Sequence, residues 1–374
     1  MAGAWTNRTC SGARRRALAL ACAGVAVCLP AGAGPAAATD PGGASDSPFW
    51  AEPAARPARQ VRTWQERGRE EDAAALERIA RQPTAIWLTD RDPRPQVERI
   101  TREAARARRI PLLVAYNIPH RDCGQYSSGG APDAAHYRDW VARAAAGIGD
   151  RRAWIVLEPD AIAQWASGCV PAQAADERLA LLAEAVRTFK AHPGAAVYID
   201  AGNAGWISDQ QKLATALKRA GIDQADGFAL NVSNFHSTSV TREYGGRLSA
   251  LLGGKHYIVD TSRNGNGPLP QTQTDGKAGA ESWCNPPGRA LGTPPTTVTG
   301  DEHIDAYVWI KRPGESDGTC RGAPPAGQWY PAYALGLATN PSAPPQATPP
   351  APLPTPAPAP APAATPAPAP APHG

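Results

Sequence analysis

A parallel β/α barrel is the fold predicted for this 374-residue chain, on three observations. Short apolar or β-branched runs alternate with longer stretches of helical period. No glycine-rich phosphate loop follows the first run. Polar residues crowd the exits of many different runs. Alternation of this kind makes parallel strands joined by crossover helices. An open doubly wound sheet for a nucleotide would want a glycine-rich turn after its first strand, whereas a barrel builds its catalytic face from loops at the C-terminal strand ends.

Taken in order, the chain begins with Arg14, Arg15 and Arg16 ahead of the apolar run Ala17 to Leu29, and Ala36-Ala37-Ala38 then matches a signal-peptidase site. Residues 1–38 therefore read as a signal peptide, too short in its apolar part to anchor in a bilayer, and the mature protein is expected to start near Thr39, secreted and free of the membrane. A rival reading, with Cys22 or Cys28 as a lipidated terminus, fits the preceding residues poorly. The leader carries four arginines and no acid, so its loss takes the formal charge from +4 to about zero. That balance gives no basic surface for nucleic acid.

Strands are predicted at Ala85 to Leu88, Leu112 to Tyr116, Trp154 to Leu157, Ala195 to Ile199, Gly227 to Val232, His256 to Val259 and Ala306 to Ile310. Helices are predicted between them at Pro95 to Arg109, Pro132 to Ala146, Gln173 to Lys190, Asp209 to Ala220 and Thr241 to Leu252. The Gly- and Pro-rich segment Thr261 to Asp305 has little periodicity and reads as cleft wall. The catalytic domain is expected over 39–340. From 341 to 374 the composition becomes a Pro/Ala run that cannot bury a core and extends as polyproline II, a spacer.

Three of the 7 cysteines leave with the leader. Cys123, Cys169, Cys284 and Cys320 remain, widely spaced and without CxxC or CxxH pairs, which favours disulfides over metal in an exported protein. Four cysteines allow three pairings.

The strand exits carry Trp87 and Asp90; Asn117, Arg121 and Asp122; Glu158 and Asp160; Asp200 and Asn203; Asn231 and Asn234; Asp260 and Arg263; and Lys311, Glu315 and Asp317. In a barrel, Asp122, Asp160, Asp200 and Asp317 converge. Four carboxyls in one cleft serve either a metal or acid/base hydrolysis. His120 and His303 lie in no ligand spacing, so neither metal nor cofactor is expected. Glycoside hydrolysis needs one carboxyl kept protonated and one ionised group or water relay opposite it, and crowding raises the pKa of a carboxyl in a partly desolvated cleft. Of 11 tryptophans, Trp87, Trp206 and Trp283 stand at strand exits or in the cleft loop, where indoles stack on sugar faces. Trp154 and Trp309 lie inside strands and read as core. Each reading has a plainer rival: Asp160 as a helix cap, Asp200 and Asp260 as structural pairing groups, the tryptophans as packing, His120 as a loop hydrogen-bonding group and "DEHID" around His303 as a turn.

The motifs "YNIPHRDCGQYSSGGAP" (116–132), "IVLEPDAIA" (155–163), "YIDAGNAGW" (198–206), "LNVSNF" (230–235), "VDTSRNGNGP" (259–268), "WCNPPGRALGTPPT" (283–296) and "WIKRPGESDG" (309–318) resemble, in order, those of glycoside hydrolase family 6, the inverting cellulases. The resemblance runs from about Trp50 to Ala338. It implies an α/β fold, a distorted seven-stranded parallel β/α barrel (TIM-like) that cleaves β-1,4-glucan with inversion. It also implies the pairings Cys123 with Cys169 and Cys284 with Cys320.

By the same resemblance Asp160 is the general acid, and Asp122 raises the acid's pKa and relays a proton from the attacking water. Asp317 is a base or a holder of that water, which Ser128 positions. Tyr116 lies beneath the distorted ring, Asp200 supports the site, and Lys311 and Glu315 bind sugar. Pro159 is expected to set the turn so that Glu158 stays back for structural pairing while Asp160 enters the cleft. Members commonly carry histidine where this chain has Asn203, beside the cleavage point. Exo-acting members extend the segment between the last two cysteines to roof a tunnel, so its compactness here implies an endo-β-1,4-glucanase, monomeric, with β-1,4-glucan as partner. The alternatives are an exo-acting cellobiohydrolase and a non-catalytic glucan-binding protein.

Overall fold

The computed structural model describes residues 47–342 apart from 90, 171 and 271–281. The leader, Asp90, the middle of the cleft-wall segment and the tail beyond 342 lie outside the described residues. Seven strands follow one another in a single parallel sheet ordered as in the sequence: β1 (Ile86–Leu88), β2 (Leu112–Ala115), β3 (Ala153–Leu157), β4 (Ala195–Asp200), β5 (Gly227–Leu230), β6 (His256–Asp260) and β7 (Ile304–Val308). The crossovers are α3 (Arg94–Arg106), α4 (Ala134–Ile148), α5 (Ala161–Ser167), α6 (Ala172–Lys190), α7 (Gln210–Arg219) and α8 (Thr238–Leu251). Among the described residues two helices precede the sheet, α1 (Arg56–Glu66) and α2 (Glu70–Ala80), and α9 (Pro331–Thr339) follows it.

Alternation along each strand sorts the side chains. Val114, Tyr116, Val156, Tyr198, Ala229, Ile258, Ala306 and Val308 fill the interior of the curled sheet. Their neighbours Leu113, Ile155, Leu157, Val197, Ile199, Phe228 and Val259 face outward against the helices. Because both faces are covered, the strands read as unbroken apolar runs. Helix starts follow local chemistry: Asp133, Asp209 and Ser237 accept the amides of His136, Lys212 and Val240.

The barrel is incomplete. β1 and β7 are not paired as strands; their edges are joined by the Ala85 amide donating to the Trp309 carbonyl at 2.9 Å and by the Trp87 indole donating to the Ile310 carbonyl at 2.9 Å. Trp309 is buried on the outside of this seam with Trp64, Leu76, Ile79, Leu291 and Leu337, from α1, α2, α9 and the loop before β7. β7 begins and ends two residues earlier than the sequence predicts. β5 stops at Leu230 instead of Val232, because Asn231 turns to φ 65° and takes the chain out of the sheet. Trp87, expected at a strand exit, sits within β1.

Candidate active site

The exit of β3 shows how the acid pair is presented. Glu158 and Asp160 both adopt left-handed backbone, φ 47° and 72°, on either side of Pro159, a strain of roughly 1 kcal/mol apiece for residues with a Cβ. The result separates the two carboxyls. Glu158 is fully buried and accepts the amides of Asn117 and Ile118 at 3.0 Å, tying the exits of β2 and β3 together, with its pKa pushed up to about 7 by burial. Asp160 lies at the start of α5, half-buried, and no described residue hydrogen-bonds its carboxyl. Burial, then the charges of Asp200 and Asp122, hold its pKa well above the usual carboxylate range.

Asp200, the last residue of β4, turns one oxygen to the amides of Asp160 (2.9 Å) and Gly202 (3.1 Å). Its other oxygen is buried without a partner among the described residues, and burial pushes its pKa up to about 7. Asp122 opens a short 3₁₀ turn after β2. The Ser127 amide reaches its Oδ2 at 2.7 Å, and burial still leaves its pKa raised. Arg121 organises this loop: it donates to the carbonyls of Tyr116 (2.7 Å) and Ser127 (2.8 Å), and its guanidinium lies 4.6 Å from the Tyr116 ring centre. Ser128, on the same loop, is exposed. Tyr116 in turn meets Trp87 edge-to-face at 5.1 Å. From the loop tip, Tyr126 packs against Trp283 with ring centres 5.9 Å apart and over Gly318.

Asp317 is the opposite of Asp160. It is buried, with Arg263 at 2.8 Å, Lys311 at 2.9 Å and the Asn285 amide at 3.0 Å. Burial alone would raise its pKa; the two cations overcome that and hold it below the ordinary value. Asp260 is equally spoken for, accepting the amides of Ser233, Ser262, Ile310 and Lys311, a structural hub between β5, β6 and β7. The Glu315 carboxylate meets Arg312 at 2.8 Å and Arg56 at 3.2 Å, beside a cavity of about 220 Å³ whose walls include Thr84, Ile86 and Trp329. Asn203 is buried with its Oδ1 on the Gly205 amide at 3.0 Å, Trp206 is 38% exposed, and Asn234 is half-buried with its oxygen on the Phe235 amide. The disulfides are Cys123–Cys169 and Cys284–Cys320; the second lies next to Asn285, whose side-chain amide donates to the Gly318 carbonyl at 2.9 Å.

The exits of β2, β3, β4 and β7 thus bring Asp122, Asp160, Asp200 and Asp317 to one face of the sheet. Among the described residues, no three His, Cys, Asp or Glu side chains are grouped to hold a metal ion. The parts that sequence reasoning left without a role are the cations. Arg121 and Arg263 stood out only as polar residues at strand exits, and nothing local in the sequence says that Arg263 pairs with Asp317 while Arg121 holds the carbonyls of Tyr116 and Ser127.

The profile of the glycosyl hydrolases family 6 matches residues 44–341. The chain belongs to this family. It is a glycoside hydrolase, a cellulase. Endoglucanase A of Thermobispora bispora is 40% identical over 339 residues, covering 89% of this chain and 70% of that protein. Endoglucanase 1 of Streptomyces sp. (strain KSM-9) is 43% identical over 270 residues, 70% of each. Among solved structures, the endoglucanase Cel6 from Mycobacterium tuberculosis, in complex with methyl-cellobiosyl-4-deoxy-4-thio-β-D-cellobioside, aligns with TM-score 0.73 at 43% identity, covering 79% of this chain and 98% of that one. The fold of this family 6 hydrolase is accordingly the distorted TIM-like barrel that its motifs predict.

Proposed function

We propose that the chain is a secreted endo-β-1,4-glucanase that inverts the anomeric centre, with Asp160 as general acid. One observation carries the assignment: of the carboxyls gathered at the strand exits, Asp160 alone has neither oxygen taken by a described residue, while its surroundings favour the protonated form. An acid must hold its proton in the resting cleft and have a lone position from which to give it. Glu158, Asp260 and Asp317 are each saturated by amides or cations.

In the proposed reaction, Asp160 gives its proton to the glycosidic oxygen as the C1–O bond breaks. Positive charge develops on the ring held above Tyr116, and water attacks C1 from the opposite face, giving inversion. The proton lost by that water passes through a further water to Asp122, whose raised pKa suits it as acceptor. Asp317 stays ionised between Arg263 and Lys311; it orients the water and offsets the developing charge, and is too weak a base to take the proton. Ser128 helps position the water, and Trp87, Trp206 and Trp283 offer sugar-stacking faces. Asp200 keeps a charge or a shared proton behind Asp160. Lys311, Asn203 and Asn234 contribute polar contacts to the glucan. Glu315, clamped by Arg56 and Arg312, takes part in sugar binding through that cluster.

Endo action is supported by relatives that bear the name endoglucanase at 40% and 43% identity and by the 36-residue separation of Cys284 and Cys320. Export is supported by the leader's residue pattern and the two disulfides; we infer a signal peptide over 1–38, a catalytic domain over 39–340 and a spacer over 341–374. Reducing-end release from carboxymethyl cellulose tests the acid: Asp160→Ala is expected to lose about 10²- to 10⁴-fold while its Tm stays near that of the wild type. Activity within threefold of wild type would remove Asp160 from the role. Viscosity of the same substrate falls early under endo attack; slow loss with abundant cellobiose would point to exo action instead.

A further inference from the structure

The side chain of His236 is not explained by the roles above. It leaves the exit of β5 and lies against the turn that follows β4: a Cβ placed on Gly205 would sit 2.6 Å from its Nε2. Its backbone is pinned on both sides, the amide donating to Asn231 Oδ1 at 3.1 Å and the carbonyl accepting from the side-chain amides of Asn231 and Asn264, each at 3.1 Å. The ring itself has no hydrogen-bond partner among the described residues, although it is half-buried. A half-buried polar ring on an anchored backbone, open to solvent and without a partner from the protein, can take one from outside. Burial lowers the pKa, so the imidazole is neutral near pH 7 and offers one donor and one acceptor. That pair suits a sugar hydroxyl.

We propose that His236 is a glucan-binding residue of this cleft, its imidazole holding a hydroxyl of the sugar on the leaving-group side of the scissile bond. The inference rests on the hydrolase reading above and uses the strand order. The ring that develops charge lies above Tyr116, at the end of β2, and the acid follows at β3. Sugars beyond the acid therefore run over β4 and β5, where the exposed Trp206, next in the chain to Gly205, gives a stacking face. Asn203 turns its oxygen toward the Gly205 amide. Gly205 is thereby explained: any side chain at that position would displace the ring.

The test compares cellohexaose, which occupies both sides of the acid, with p-nitrophenyl β-cellobioside, whose leaving group is not a sugar. His236→Phe, which keeps a ring without polar atoms, is expected to lose about tenfold in kcat/KM on cellohexaose, mostly through KM, and less than about twofold on the aryl cellobioside. His236→Gln should regain part of the loss, and Gly205→Ala should reproduce it. Equal losses on both substrates, or none on cellohexaose, would overturn the proposal. Wild-type protein that cleaves neither substrate would sink the hydrolase reading separately. His236 would then be judged by cellohexaose titration of tryptophan fluorescence, where an unchanged Kd in His236→Phe rejects it.

Discussion

Single residues in this cleft differ less in type than in what surrounds them. Asp160 and Asp317 are both aspartates on the same face, one whose carboxyl has no hydrogen-bond partner among the described residues and the other between two cations, and burial acts on both. The cations decide: they reverse the effect of burial at Asp317, while Asp200 and Asp122 add to it at Asp160. Asp200→Asn keeps an oxygen for the amides of Asp160 and Gly202 and removes the neighbouring charge. The pKa of Asp160 should then fall, and the alkaline limb of the kcat/KM profile should move to lower pH. A limb that stays in place would mean that Asp200 does not act on Asp160 through its charge. Arg263→Ala leaves Asp317 buried with Lys311 as its remaining cation and should cost about 3 kcal/mol in urea unfolding, along with a fall in kcat. The EPD and ESDG motifs made both aspartates visible in the sequence. Their opposite protonation was not, because it is set by Arg263, 54 positions from Asp317, and by neighbours on other strands.

At the level of elements, strands were more legible than their ends and the crossover helices more legible than the outer ones. Alternating burial inside and outside the curled sheet reads as apolar runs, so all seven strands were found. The shift at β7 came from counting Trp309 and Ile310 as strand when their role is to meet the opposite edge. α1, α2 and α9 were missed, since they lie outside the alternating β/α pattern and bury Trp64, Ile79 and Leu337 against the seam. α5 was missed because it is 7 residues long and starts at the strained Asp160. The loop after β2 makes its own prediction. Gly318→Ala would set a Cβ 2.6 Å from the Tyr126 ring, pushing away the loop that carries Asp122 and Ser128. A fall of about three- to tenfold in kcat, with Tm changed by only a few degrees, is the expected result. An unchanged kcat would show that Tyr126 does not govern where the loop sits.

For the whole molecule, pH acts through the buried carboxyls in a direction opposite to the usual one. Glu158 and Asp200 each move up to about 7 on folding, from ordinary values of 4.5 and 3.8. Between those limits the native state binds more protons than the unfolded chain, so stability declines as pH rises from about 4.5 to about 7. Asp317, whose pKa is lowered, works the other way, but only below its ordinary value of 3.8. Calorimetric Tm should therefore drop across that window, and Asp200→Asn should flatten the drop; a Tm rising steadily to pH 7 would contradict both assignments. Reduction of the two disulfides should also lower Tm. Closing the 36-residue separation at Cys284–Cys320 is worth roughly 4 kcal/mol in chain entropy. The seam between β1 and β7 has a consequence in time. Trp87 and Ile310 are 223 positions apart and Ala85 and Trp309 are 224 apart, so the contacts across the seam close the longest loops of the sheet and form after the intervening strands are in place. The Ala85 amide, held by one bond across that edge, should exchange with deuterium well before the amide of Ile155 in the middle of the sheet, making the seam the first part of the wall to open and the last to knit.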